Sequence, residues 1–179
     1  QQNTLGRLMP ESTIWKICHD ISGGLSHIHT HGLVHHDIKP SNIFFVSHGR
    51  FGAMCKIGDF GMAGDIGSSD DGQEGDQKYM APELLAFSEV KHPSADIFSL
   101  GLTLYELASA LSFEVPSDGP RWHELRSGAA KLFDHRHIPS SRDAGLIALV
   151  RSMMHPIRDK RPTVDELLRH SKVQHAGME

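Results

Sequence analysis

The most informative stretch of this chain is His35-His36-Asp37-Ile38-Lys39-Pro40-Ser41-Asn42. Two shorter motifs follow it, Asp59-Phe60-Gly61 and then Ala81-Pro82-Glu83. An aspartate before a proline-containing turn can simply cap that turn, and His-x-Asp alone is a weak signal. A lysine two residues after the aspartate and an asparagine five residues after it make the pattern a strong indication that the aspartate has a catalytic role rather than a capping role. The three motifs follow one another in a fixed order along the chain, and the functional interpretation depends on that order.

The composition fits a single unit with one core. The chain has 179 residues, of which 39% are hydrophobic, and its formal net charge is −4. That charge provides no basic field for nucleic acid, and no apolar run approaches the ~20 residues of a membrane span. Cys18 and Cys55 lie far apart, which predicts no disulfide and a reducing compartment. The chain also has 14 histidines, of which five cluster without an acidic or cysteine partner, so we expect no zinc site at His27, His29, His31, His35 and His36.

Hydrophobic periodicity in the first half predicts one helix and one hairpin. Apolar residues at three- and four-residue steps predict an amphipathic helix over 11–30, ended by Gly32. Brief buried strands are predicted at 33–34 and 43–46, and 43–57 is a candidate hairpin. Residues 62–78 carry Gly, Asp and Ser with little apolar content, which predicts a mobile or solvent-facing loop.

The second half is predicted to be helical. Residues 93–111 are apolar almost all round, which is typical of a buried helix. Two further helices are predicted near 120–127 and 143–154. A last short helix over 163–170 would begin at Thr163, with Glu166 three residues on in a capping-box pattern.

The three motifs, taken together, resemble the catalytic loop, the magnesium loop and the end of the activation segment of a protein kinase. The resemblance implies a protein-kinase-like α+β fold: a mostly helical C-terminal lobe with a small β-hairpin. It places a partial kinase domain at 1–173 and a tail at 174–179. Nothing before Asp37 resembles a glycine-rich phosphate loop or a strand lysine that contacts ATP. We therefore expect the N-terminal lobe to be absent from this sequence and encoded upstream.

The resemblance also implies roles for individual residues, with ATP and Mg²⁺ as cofactors. Asp37 is expected to be the catalytic base that receives the proton of the substrate hydroxyl. Lys39 is expected to act with it in catalysis and to bind ATP by steadying the γ-phosphate. Asn42 and Asp59 are expected to bind Mg²⁺ through oxygen atoms, and so to bind the cofactor.

Three further positions are given structural roles by the resemblance. Glu83 would form a buried ion pair with Arg161. Asp96, at the start of the predicted buried helix, would accept hydrogen bonds from the catalytic-loop backbone. Simple solvent exposure is the alternative for Asp96, but its place beside an all-apolar helix favours a buried, hydrogen-bonded acid.

His36 departs from the family pattern. The family usually has an arginine there, which receives the phosphate of a phosphorylated activation loop. A neutral histidine is a poor receptor, and the loop carries acids of its own at Asp65, Asp70, Asp71, Glu74 and Asp76. We therefore expect that phosphorylation of this loop is not the switch. The alternative is that the acids only form a solvated surface.

Further features narrow the resemblance to the Wee/Myt group of mitotic-inhibitor kinases. They are the non-arginine residue before Asp37 with Asn42-Ile43-Phe44 after it, Glu74-Gly75-Asp76 before the segment's end, and Trp122-His123-Glu124-Leu125-Arg126-Ser127-Gly128. The group implies phosphorylation of a cyclin-dependent kinase on an inhibitory tyrosine, which would restrain mitotic entry.

Other consequences and alternatives remain open at this point. The resemblance implies a location in the nucleus, the cytoplasm or both. We also expect a monomer, and the charge and hydropathy predict no nucleic-acid partner and no membrane segment in this chain. The fragment alone is expected to be inactive. A Ser/Thr kinase of another group is one alternative function, and a non-catalytic kinase lobe that binds a partner is another.

Overall fold

The computed structural model describes residues 8–47, 49, 52–69, 75–85, 90–110, 113–128 and 137–178. Some residues discussed above lie outside these ranges, namely Asp70, Asp71, Glu74, Leu111 and the hairpin-turn residues His48, Arg50 and Phe51. The described strands are β1 (Leu33–Val34), β2 (Ile43–Ser47), β3 (Ala53–Ile57) and β4 (Gly64–Asp65). The described helices are α1 (Glu11–Thr30), α2 (Pro93–Ala108), α3 (Gly119–Ser127), α4 (Ala144–Met153), α5 (Val164–Arg169) and α6 (Ser171–Ala176).

Helix α2 forms the centre of the core because it is apolar on every side. Its fully or almost fully buried apolar side chains, each at most 2% exposed, are Ala95, Ile97, Phe98, Leu100, Leu102, Leu104, Tyr105 and Ala108. Pro93 occupies the first turn, and the His92 side chain accepts a hydrogen bond from the backbone N–H of Ser94. The helix packs against α1, α4 and β1. The predicted buried helix is confirmed, and it ends at Ala108.

Helix α1 follows the predicted bounds and lies between the hairpin and the C-terminal helices. Its apolar face contacts α2, β3, α5 and α6. Gly32, with φ of 77°, follows the helix in a conformation that favours glycine. A Cβ on Gly24 would come within 2.9 Å of Ile57 Cδ1, so this glycine lets the hairpin approach the helix. A Cβ on Gly23, by contrast, would have no packing neighbour within 4 Å.

The predicted hairpin is confirmed, but its first strand is not buried. Strands β2 and β3 pair antiparallel, with Ile43 opposite Ile57. Phe44 is 51% exposed and Phe45 is 58% exposed, so the prediction of a buried strand is wrong for β2. The reason is geometric: β3 is the strand that packs along α1, and β2 lies on its outer side.

Two short elements lie where the sequence pattern showed none. Strand β4 pairs antiparallel with β1, Leu33 opposite Asp65, within the region predicted to be a loop. It is held by backbone pairing and carries no apolar alternation, so periodicity could not reveal it. Helix α6 follows α5 directly and buries Val173 and Ala176 against α1. The predicted capping box at the start of α5 is confirmed.

The helices also bear on membrane topology. Within the described ranges, none combines the length and the apolar character that crossing a membrane requires.

A glycine pair tests the packing around α2. A Cβ on Gly101 would lie 2.8 Å from Met153 Cβ and 3.1 Å from Met154 Cγ. Gly101→Ala should lower the free energy of unfolding by about 1–2 kcal/mol, since overpacking outweighs the gain in helix propensity. Gly23→Ala, in open space on α1, should raise it by about 0.5–1 kcal/mol. Urea denaturation measures the free energy of unfolding of both variants. A change in the same direction for both would contradict this packing.

Candidate active site

One buried carboxylate holds the loop that carries the candidate catalytic residues. Asp96, fully buried at the start of α2, accepts hydrogen bonds from the backbone N–H of His35 at 2.9 Å and of His36 at 2.8 Å. His29 Nε2, from α1, donates to the same carboxylate at 2.8 Å. Asp96 is therefore a satisfied buried acid that binds the loop backbone, as predicted.

The bonds from Asp96 stabilise an unfavourable backbone conformation. His36 has φ of 62° and Asp59 has φ of 60°, in the left-handed region that residues other than glycine rarely occupy. Conformations of this kind persist only where surrounding contacts enforce them. At His36, directly before Asp37, the bond from its N–H to Asp96 supplies that enforcement.

His35 joins this loop to the Asp59-Phe60-Gly61 motif. Its buried ring donates from Nε2 to the carbonyl of Gly58 at 3.2 Å and accepts at Nδ1 from the N–H of Asp37 at 3.3 Å. This pair of bonds assigns the neutral tautomer with the proton on Nε2. The ring of Phe60 packs edge-on against it, with centroids 5.0 Å apart. His35 therefore packs the catalytic-loop motif against the segment that bears Asp59.

The Asp37 carboxylate is held at both oxygens. Asn42 Nδ2 donates to Asp37 Oδ2 at 2.8 Å and to its backbone oxygen at 2.9 Å. Lys39 Nζ lies 2.9 Å from the same Oδ2, and the N–H of Asp76 lies 3.4 Å from Oδ1. The structure thus brings together Asp37, Lys39 and Asn42. Asp37 and Asn42 are 8% and 6% exposed, and the Lys39 side chain is 20% exposed.

Lys39 lies between two carboxylates. Its Nζ is 2.9 Å from Asp37 Oδ2 and 3.6 Å from Asp76 Oδ2. Burial alone would lower the pKa of Lys39, but the hydrogen bond and charge of Asp37, reinforced by Asp76, raise it above its ordinary value. The lysine therefore stays positively charged at neutral pH beside the candidate base.

Gly75 and Asp76 contribute to the site in a way that the sequence pattern did not reveal. A Cβ on Gly75 would lie 2.7 Å from the carbonyl oxygen of His36, so only glycine fits this contact between two backbone segments. The neighbouring Asp76 then reaches Asp37 with its N–H and Lys39 with its carboxylate. The sequence marked these residues only by resemblance, because the contact joins positions about forty residues apart.

The donor set fits a hard divalent cation. Asp59 is exposed, and its Oδ1 accepts a hydrogen bond from the N–H of Gly61 at 3.2 Å. The amide nitrogen of Asn42 donates to Asp37, so the amide oxygen is the atom with which Asn42 can bind a metal. A carboxylate and an amide oxygen are ligands that Mg²⁺ accepts, while waters and phosphates complete its shell.

A second buried ion pair fixes the chain beyond this site. Arg161 donates from both terminal nitrogens to the carboxylate of Glu83, each at 2.6 Å. The same guanidinium donates to the backbone oxygens of Ser94 and His155 and lies 4.9 Å from the centroid of Phe98. The predicted pair of Glu83 with Arg161 is confirmed, and its bidentate geometry makes it a strong one.

The clustered histidines have separate structural contacts. The rings of His27 and His31 contact each other at a tilt of 47°, with centroids 4.3 Å apart, while His29 and His35 take part in the loop network described above. Among the residues that the structure describes, no group of three or more histidine, cysteine or acidic side chains is arranged to hold a metal ion.

Comparison with known proteins agrees with this geometry. Residues 2–173 match the protein kinase domain family. A probable protein kinase of Dictyostelium discoideum is 44% identical over 97% of this chain and 46% of its own length. The membrane-associated tyrosine- and threonine-specific cdc2-inhibitory kinase of Drosophila melanogaster is 40% identical over 93% of this chain and 30% of its own length. The mitosis inhibitor protein kinase wee1 of Schizosaccharomyces pombe is 35% identical over 97% of this chain and 21% of its own length.

These relatives confirm two sequence predictions. The chain resembles kinases of the Wee group, and the protein-kinase-like fold with a mostly helical body is the one predicted. The chain spans less than half the length of each of these relatives.

The network around Asp96 makes a prediction for stability. Asp96→Asn places an N–H₂ group against backbone N–H donors, so it should lower the free energy of unfolding by about 2–4 kcal/mol at neutral pH. Asp118→Asn is the matched control, because Asp118 is exposed and its side chain makes no capping bond. Urea denaturation measures both, and equal stabilities would contradict the role given to Asp96.

The same variant has a pH signature. Burial alone would raise the pKa of Asp96, but the hydrogen bonds from His29 and from the backbone of His35 and His36 lower it below its usual value. A lowered pKa contributes stability above the pKa of the unfolded state, and that contribution is lost as the pH falls through the folded-state value. The difference between wild type and Asp96→Asn should therefore shrink below about pH 4.

Proposed function

Because this chain belongs to the protein kinase family, we propose that it is the catalytic-loop lobe of a Wee-type kinase that phosphorylates a cyclin-dependent kinase on an inhibitory tyrosine. Such a reaction would restrain entry into mitosis. The observation that carries the proposal is the Asp37 carboxylate, held by Asn42, Lys39 and the N–H of Asp76.

The names of the relatives support the choice of substrate. The Drosophila relative is named as a tyrosine- and threonine-specific kinase that inhibits cdc2, and the fission yeast relative as a mitosis inhibitor. Gly75 and Asp76, which distinguish the Wee-like segment in this sequence, lie directly against the loop that bears Asp37. The group-specific residues are thus close to the place where a substrate hydroxyl would be bound.

The arrangement suits the transfer of a phosphoryl group to a hydroxyl. Bound Mg-ATP would supply the γ-phosphoryl group and neutralise its charge. Asp37 would accept the hydrogen bond of the substrate hydroxyl and then its proton, because its carboxylate is fixed in one orientation. Lys39 would hold the γ-phosphate with its positive charge, and Asn42 and Asp59 would hold Mg²⁺ through oxygen.

A serine/threonine kinase of another group is the second candidate. The motif Lys39-Pro40-Ser41-Asn42 resembles the serine/threonine pattern, although Wee-type kinases share that lysine. A non-catalytic lobe that only binds a partner is less favoured. Such a lobe has no chemical need for Asp37, Asn42 and Asp59 together.

The proposal extends to the organisation of the protein. The kinase domain would occupy 1–173, followed by a tail at 174–179, in a monomer of the nucleus, the cytoplasm or both. The 179-residue chain by itself should transfer little or no phosphate, because no glycine-rich loop or ATP-contacting strand lysine is found before Asp37. Robust activity of the chain alone would contradict this part of the proposal.

Two substitutions in the full-length protein separate the proposed roles. Asp37→Asn should lower turnover about 10²–10⁴-fold while leaving ATP binding largely intact, because Asp37 acts on the hydroxyl. Asp59→Asn should also weaken Mg²⁺-dependent ATP binding, since it removes a metal ligand. Turnover is measured on a recombinant cyclin-dependent kinase, and ATP affinity by titration calorimetry with and without Mg²⁺.

The outcomes distinguish the candidates. Phosphoamino-acid analysis of the product should give phosphotyrosine, and product containing phosphoserine alone would favour a kinase of another group. Equal ATP affinity in the two variants would overturn the separate roles of Asp37 and Asp59. Asp118→Asn serves as the control and should leave both turnover and ATP affinity unchanged.

A further inference from the structure

The segment Gly75–Met80, which we call the clamped segment, has its backbone oxygens bound by side chains of two helices. Trp122 Nε1 donates to the oxygen of Gln77 at 3.0 Å. Arg126 donates to the oxygens of Gln77, Lys78 and Met80 at 2.8, 3.0 and 3.0 Å. Ser99 Oγ, from α2, donates to the oxygen of Tyr79 at 2.8 Å. Every carbonyl from residue 77 to residue 80 therefore accepts a side-chain hydrogen bond.

Arg126 is built into the molecule as a cationic donor to the backbone. It is only 5% exposed, and its guanidinium lies 3.8 Å from the ring centroid of Trp122. Its third nitrogen donates to the backbone oxygen of Trp122 at 3.1 Å, so all the acceptors described for it are carbonyls. Burial lowers the pKa of Arg126 to about 10, so the side chain remains charged at neutral pH. Charged donors form the stronger class of hydrogen bond.

The other end of the clamped segment touches the catalytic loop. Gly75 lies against the carbonyl of His36, and Asp76 contacts Asp37 through its N–H and Lys39 through its carboxylate. The clamped segment thus connects helix α3 with the candidate base. A displacement of its backbone would move a hydrogen-bond donor to Asp37 and a charge beside Lys39.

We propose that Arg126, together with Trp122, is a positioning residue that holds the clamped segment against the catalytic loop, in place of a phosphate on the activation segment. The inference rests on the proposed kinase function and deepens it. His36 is a poor phosphate receptor where the family usually has arginine. Arg126 brings a guanidinium to the same segment and binds its backbone oxygens. Backbone carbonyl groups are always present, so these hydrogen bonds form in every copy of the protein. A phosphate, by contrast, is added and removed by other enzymes.

Hydrogen–deuterium exchange on the full-length protein tests the clamp without requiring activity. In Arg126→Gln, the amides of Asp76, Lys78 and Tyr79 should exchange at least about tenfold faster, because the bonds to Arg126 contribute about 1 kcal/mol or more each. The matched control is Arg121→Gln, an exposed arginine on the same helix, which should leave these amides unchanged. Unchanged exchange in Arg126→Gln, or an equal increase throughout α2, would overturn the proposal.

A milder pair of variants covers the case in which Arg126→Gln fails to fold. Arg126→Lys keeps the charge but loses the planar fork, so it should accelerate exchange in the clamped segment by less than Arg126→Gln. Trp122→Phe removes the bond to Gln77 and reduces the ring on which the Arg126 guanidinium lies, so it should affect the amides of the clamped segment while sparing those of α4. If amide exchange in the clamped segment is unchanged in both variants, the proposal is wrong.

Kinetics of the full-length kinase test the consequence for catalysis. Arg126→Gln should lower kcat about 100-fold, the size expected for a small misplacement of catalytic groups, with KM for ATP nearly unchanged. Wild-type enzyme treated with a protein phosphatase should keep its activity. Loss of wild-type activity on that treatment, or a rise in KM alone, would overturn the inference. If untreated wild type fails to phosphorylate the cyclin-dependent kinase, the proposed function fails, whereas the exchange result still decides the clamp.

Discussion

The rest of the site depends on a buried negative charge at the edge of the core. Asp96 has no exposure to solvent, and a carboxylate in that setting is tolerated only when donors surround it. Two of the donors are backbone N–H groups of the loop that bears Asp37, and the third is His29. The same hydrogen bonds therefore satisfy the buried charge and fix the conformation of the loop. They also maintain the unfavourable φ of His36.

Two buried arginines, Arg161 and Arg126, lie near the same aromatic ring but bind different groups. The guanidinium groups of Arg161 and Arg126 lie 4.9 and 5.9 Å from the centroid of Phe98, on the central helix α2. Arg161 pairs with the carboxylate of Glu83, whereas Arg126 binds backbone oxygens of the clamped segment. Packing on the core thus places one charge at Glu83, at the end of the activation segment, and another at the backbone oxygens of Gln77, Lys78 and Met80 shortly before it.

Local pattern predicted most of the elements because local interactions stabilise them. The amphipathic stripe of α1, the all-apolar α2 and the capping box at Thr163 each involve residues within a few turns of one another. Predictions failed where long-range contacts decide. Strand β4 exists only because β1 offers backbone partners, and Phe44 is exposed because β3 takes the place beside α1.

The amino-acid sequence by itself predicted the chemical groups of the candidate site, Asp37, Lys39, Asn42 and Asp59, through short motifs that resemble those of protein kinases. It also indicated the pair of Glu83 with Arg161 through resemblance. Only the tertiary structure decided what surrounds Asp37. The contacts of Gly75 with His36 and of Arg126 with Gln77 join residues about 40–50 positions apart, and such contacts arise only when packed helices bring separate segments to one place.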